Sequence, residues 1–182
     1  MITFDDITND GRLWAVRYEG DADNILSITF ERWTNATWLS DFFSANIEDL
    51  ESYFKITDLN QAIYDTVEDA DRLQCLILDI NEDADLDKVF RHLEPSRSAE
   101  MILGKEKAKG KYNRHASWLR LYAIRLSPGK YIITGGAIKL TATMQERKHT
   151  LQELTRLEFV RNFLLDEGII DDEGFNYYMK EP

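Results

Sequence analysis

The sequence predicts an α+β fold, an antiparallel sheet with helices packed on one side. Three observations lead there. Segments rich in aromatic and β-branched residues fall near the start and again late in the chain, helix-like segments group between and after them, and no internal repeat is visible. At 182 residues, with Gly and Pro too sparse for a long linker, a single domain over residues 1–182 is the expectation. It divides into an acidic hairpin-plus-helices portion, 1–90, and a basic portion, 91–170.

Residues 12–18 and 24–30 carry strand-type side chains (Trp14, Val16 and Tyr18; Ile25, Ile28 and Phe30) around a short acidic loop, a hairpin signal. From Thr34 onward Trp38, Leu39, Phe42, Phe43, Leu50 and Phe54 suit one helix or two short ones broken near Ser44. Asp58, with Gln61 three residues on, caps a helix carried by Leu59, Ile63, Val67, Ala70, Leu73 and Ile77. The acidic run 82–85 leads into a short segment ending before Pro95, and residues 97–115 read as an exposed basic connector. Next come the strongest strand signals, 117–126 and 130–140, joined at Ser127, Pro128 and Gly129 into a central hairpin. Alternation sets Trp118, Arg120 and Tyr122 on one face of its first strand and Leu119, Leu121 and Ala123 on the other. Gly135 and Gly136 mark a bulge or a close approach by another group. Thr150 and Glu153 form a capping box for a helix through Leu154, Leu157, Val160, Phe163 and Leu164 that stops at Gly168. Residues 171–179 add a last helical turn, with Phe175, Tyr177 and Tyr178 docking on the body.

Composition excludes several classes. Cys75 is the single cysteine, so no internal disulfide forms, as a reducing compartment expects. Residues 1–6 are acidic where a signal peptide is basic and then apolar, and no apolar run approaches the roughly 20 residues that cross a bilayer. A cytoplasmic protein without membrane contact is expected. His92, His115 and His149 are scattered and Cys75 has no partner, so neither a metal nor a cofactor is expected. Gly104 and Gly135 stand outside the pattern that cradles phosphates between a strand and a helix. Carboxylates such as Asp69 and Asp71, spaced by two on a helix, do not face one another and read as solvated surface.

Charge is distributed unevenly. Residues 1–90 hold 21 acids and 6 bases, residues 91–165 hold 15 bases and 6 acids, and the last 17 residues hold 6 acids and one base. Either the blocks neutralise each other across the fold, or the basic one serves a polyanion while the acidic one supplies solubility. Lys105, Lys107, Lys109, Lys111 and Arg114 run into the mixed face of the central hairpin. Cations interleaved with aromatics are how single-stranded RNA is commonly held. These five and Lys148 are therefore candidate RNA contacts.

The segments 118–126 and 131–141, followed by the helix after Thr150, resemble the end of the RelE/HigB family of bacterial toxins. The resemblance covers roughly residues 85–165. It implies a small α+β ribonuclease that cuts messenger RNA without metal, usually on the ribosome, and that a small helix-turn-helix antitoxin silences. Arg120 matches the family's strand arginine and Lys139 the lysine after its glycine strand, both as holders of the scissile phosphate. Tyr122, His115 and Arg147 join them by proximity, Tyr122 or His115 for the proton of the attacking 2'-hydroxyl and Arg147 for a neighbouring phosphate. The alternative is a non-catalytic protein-binding module on the same α+β fold.

Overall fold

A computed structural model describes residues 1–94 and 102–181. The α+β class holds. Six strands form one sheet in the order β1-β2-β6-β5-β4-β3: β1 Thr3–Asp6, β2 Leu13–Arg17, β3 Arg91–His92, β4 Gly104–Lys109, β5 Leu119–Ser127 and β6 Lys130–Ile138. Among the described residues six α-helices accompany them: α1 Ile25–Thr34, α2 Ala36–Ala45, α3 Ile47–Phe54, α4 Leu59–Leu78, α5 Lys148–Asp166 and α6 Asp172–Lys180. The sheet is mixed, because β2 runs parallel to β6 while the other pairings are antiparallel.

Helices cover both faces of this sheet, not one. Gly135 and Gly136 show why. A Cβ on Gly136 would meet the Thr29 methyl of α1 at 2.6 Å, and one on Gly135 would meet the Glu153 carboxylate of α5 at 1.8 Å. Neighbouring strand residues point to opposite faces, so α1 and α5 lie on opposite sides. The anticipated irregularity is also present, since the β5–β6 register shifts between Tyr122 and Ala123. Beyond Ile133, β6 has no strand partner on its β2 side among the described residues. Side chains serve its backbone there: the Tyr18 hydroxyl donates to the Thr134 carbonyl at 2.6 Å, His149 Nε2 meets the Ile138 carbonyl at 2.9 Å, and Glu153 accepts from the Gly136 N–H.

Three elements differ from expectation. Residues 24–30 belong to α1, where Ile25, Leu26, Thr29, Phe30 and Trp33 are buried at helical spacing and the Asn24 side chain caps the helix by accepting from Ser27 N–H. Helical burial outweighs the strand preference of the β-branched residues, and the N-terminal hairpin is β1 with β2 instead. Within 97–115, residues 104–109 are β4, in register with β5 from Gly104 opposite Arg125 to Lys109 opposite Arg120; the part of that expectation on residues 97–101 lies outside the described residues. Finally, α5 starts at Lys148 with no side-chain cap, because the Thr150 hydroxyl donates back to the Met144 carbonyl and the capping box sits earlier, between Thr143 and Glu146.

The break near Ser44, the Asp58 cap and the stop before Gly168 are as the spacing predicts. In α6, Phe175 docks edge-on against Phe4 and Trp14 and Tyr178 against Phe163, while Tyr177 remains exposed. Among the described residues no helix is long and apolar enough to cross a membrane.

Candidate nucleic-acid interface

On β4, Lys105, Lys107 and Lys109 alternate with the buried Gly104, Glu106 and Ala108. A period of two places the three lysines on one face. Antiparallel pairing sets Lys107 opposite Tyr122 and Lys109 opposite Arg120, and across β5 it sets Gly135 opposite Tyr122 and Ala137 opposite Arg120. All these residues therefore share the face that α5 covers, where Leu154 packs with Tyr122, Ala137 and Met144. Since α5 lies over β6, the β4–β5 part of this face stays open. There a groove of about 640 Å³ is lined by Lys105, Lys107, Lys109, Arg120, Tyr122 and Lys139, by two carboxylates, Glu94 and Glu158, by residues 142–145, and by Leu93 and Leu154.

Three of the cations are held by backbone oxygens. Arg120 Nη1 donates to the Ser117 and Leu119 carbonyls at 2.7 and 2.8 Å, Lys139 Nζ to the Ala142 carbonyl at 2.7 Å, and Lys107 Nζ to the Leu93 carbonyl at 3.1 Å. Among the described residues, Lys107, Lys109, Arg120 and Lys139 form no ion pair. Crowding shows in their proton affinities. Burial, followed by the neighbouring cations, lowers the pKa of Lys107 and of Lys139; the Arg120 charge lowers that of Lys109; burial lowers that of Arg120. Tyr122 is 1 % exposed and its hydroxyl has no hydrogen-bond partner; burial pushes its pKa up, so it stays protonated. A concave site with four crowded cations offers an anion a favourable place.

Arg120 also has support from behind. Ser117, whose carbonyl it contacts, donates its hydroxyl to the buried Asp69 of α4 at 2.5 Å. Gly110 makes room, because a Cβ there would lie 2.5 Å from Asp69 and 2.6 Å from the Ser117 hydroxyl.

Two of the five expected catalytic residues are elsewhere. His115 Nε2 is 2.9 Å from Asp65 of α4, and its ring stacks on Trp118. Arg147 makes a two-pronged pair with Asp49 of α3, at 2.6 and 2.7 Å. Proximity in sequence misplaced both, since the acidic helices claim them before the groove does. Trp118 is likewise a core residue, donating to the Thr66 hydroxyl and packed on Phe43 and Phe54. Of the expected RNA contacts, Lys105, Lys107 and Lys109 line the groove, Lys105 paired there with Glu158. Arg114 pairs with Asp65 at 3.6 Å. Lys111 and Lys148 are exposed and do not line this groove.

The uneven charge is neutralised across the fold at some residues and not at others. Arg114, His115, Arg125 and Arg147 meet carboxylates of the first ninety residues, whereas the four groove cations do not. A smaller cleft of about 260 Å³ near Leu103, Leu126 and Ile170 has no comparable cluster among the described residues, its Glu106 and Arg125 being taken up by His92 and Asp87.

No family model, no curated protein and no solved structure matches this chain. Sequence reasoning missed the groove wall formed by residues 142–145, Leu154 and Glu158. The alternation of Lys105, Lys107 and Lys109 was a usable signal, because a period of two marks a strand with one charged face.

Proposed function

We propose that the groove binds the backbone of single-stranded RNA and cleaves it without metal, as a ribonuclease of the RelE/HigB kind. The supporting observation is the convergence of Lys107 and Lys109 of β4, Arg120 of β5 and Lys139, just past the end of β6, on one groove that Tyr122 also lines. Arg120 and Lys139 grip the scissile phosphate and offset the charge that builds on it in the transition state. Lys107, its pKa lowered by burial and like charges, takes the proton of the attacking 2'-hydroxyl. The hydroxyl oxygen bonds to phosphorus, the 5'-oxygen departs with a proton from Tyr122, and solvent returns the enzyme to its starting state. Products are a 2',3'-cyclic phosphate and a 5'-hydroxyl. Tyr122 is the donor because burial keeps it protonated at neutral pH, and its enclosed hydroxyl turns into the groove to reach the 5'-oxygen. In a cell such an enzyme would act on messenger RNA at the ribosome and would need a silencing partner, here a small helix-turn-helix antitoxin.

A second reading, binding without cleavage, is favoured by one observation: among the described residues no histidine lines the groove, His115 being held at Asp65. One experiment separates the two. The protein is induced in a bacterial host while growth and message integrity are followed, and purified protein is incubated with labelled single-stranded RNA in chelator. Arrest and cleavage, both lost in Arg120→Ala and Lys139→Ala, support the ribonuclease. RNA bound but left whole selects the second reading, and RNA neither bound nor cut sinks both.

A further inference from the structure

Beyond β4, on its β3 side, lies a second groove of about 410 Å³, lined by Lys88, Arg91 and Lys111 together with Lys107, Lys109 and the apolar Leu76. Lys107 and Lys109 line both grooves. The strand pairing explains the junction. β3 is two residues long and pairs Arg91 with Lys107 and His92 with Glu106, so from Ala108 onward β4 has a free edge. Arg91 lies close enough to Lys109 to lower its pKa. Among the described residues Lys88, Arg91 and Lys111 form no ion pair. A run of seven cations therefore passes from Arg120 and Lys139, through Lys109 and Lys107, over the edge of the sheet to Arg91, Lys88 and Lys111.

We infer that the second groove is an additional phosphate-binding subsite and that the ligand is a single strand of RNA several nucleotides long, its backbone bending over the free edge of β4. This rests on the RNA-binding reading of the first groove and extends it. A mononucleotide or a lone phosphate would leave three of the seven cations uncovered. A duplex, stiff over about 50 nm, does not fold around a strand edge. A flexible single strand does, and stands of this kind occupy about 4–16 nucleotides on their proteins.

The test is fluorescence anisotropy of the full chain with labelled 2'-O-methyl oligouridylates, which lack the attacking hydroxyl, of about 3 and about 12 nucleotides, across a salt series. Lys88→Ala combined with Arg91→Ala is expected to weaken binding of the longer strand and to make its log Kd versus log salt slope shallower by about 1.4, or about 0.7 for each lost contact. Binding of the shorter strand is expected to stay as in the parent, which also reports intact folding, and Lys111→Ala to act in the same direction by half as much. An unchanged slope for the longer strand in both variants, with binding still lost in Lys139→Ala, would overturn the second subsite and leave the first groove standing. Equal or tighter binding of a duplex or of an acidic peptide through Lys88 and Arg91 would overturn the choice of a single strand. Failure of the parent to bind either oligonucleotide removes the first-groove reading itself.

Discussion

Lys109 and Arg120 stand directly opposite one another across β4 and β5, two cations in one cross-strand pair on the face of the groove. Like charges so placed destabilise a sheet, typically by about 0.2–1 kcal/mol. Lys109→Gln is therefore expected to raise stability by a few tenths of a kcal/mol in urea unfolding while weakening RNA binding. A variant that loses both stability and binding would mean that Lys109 supports the sheet instead of crowding it.

Tyr122 offers the same separation with a different chemistry. Its hydroxyl is buried without a partner, a costly arrangement, so Tyr122→Phe should leave stability unchanged or improve it by about 1 kcal/mol. Cleavage in the single-turnover assay should fall by about 10²-fold, with RNA affinity little altered. Full cleavage by the phenylalanine variant would remove Tyr122 as the proton donor.

Arg147 and His115 lie outside the groove, on Asp49 and Asp65. Arg147→Ala and His115→Ala are expected to lower the melting temperature, because each leaves a buried carboxylate short of a partner. Activity per folded molecule should match the parent. A selective loss of cleavage at unchanged stability would return either residue to the catalytic group.

Glu153 sets a pH dependence. Buried beside Gly135 and Gly136, it has a pKa pushed up to about 7 by burial, against the pull of Arg156, Arg32 and the Gly136 N–H. Its charge also acts on Tyr18 and Tyr122, and His149 and Gln152 line the same cavity. The folded state thus holds a proton that the unfolded chain has released, and stability falls as pH rises from about 4.5 to about 7. Over the whole window this amounts to roughly 3 kcal/mol. Glu153→Gln should flatten that slope, equalling the parent near pH 5 and exceeding it above pH 7 in chemical denaturation; parallel pH profiles would refute the assignment.

Much of the fold was legible in the sequence where a local signal and burial agree. Asp58 caps α4 by accepting from Asn60 and Gln61, and Gly168 ends α5 with a φ of +72°. Local chemistry decides both. Residues 24–30 misled because Ile25, Ile28 and Phe30 satisfy a strand composition as well as a helical stripe, and only packing on β6 and α4 chooses between them. Of the candidate site, the face shared by Arg120 and Tyr122 was readable from alternation, whereas Lys139 came from the resemblance alone and Trp118, which alternation sets on that same face, packs instead against Phe43, Phe54 and Thr66. His115 and Arg147 were not, because each is placed by a carboxylate at least fifty residues away in the chain.

Among the described residues β6 beyond Ile133 has a strand only on its β5 side, yet on the other side Tyr18, Glu153 and His149 occupy its outward-facing peptide groups. An unoccupied edge of that length is a template on which a second copy of a chain can add a strand and start an aggregate. Here two helical side chains and one tyrosine stand where the intruding strand would bind, so a bulged, glycine-bearing strand with an open flank remains monomer-compatible without a further strand to shield it.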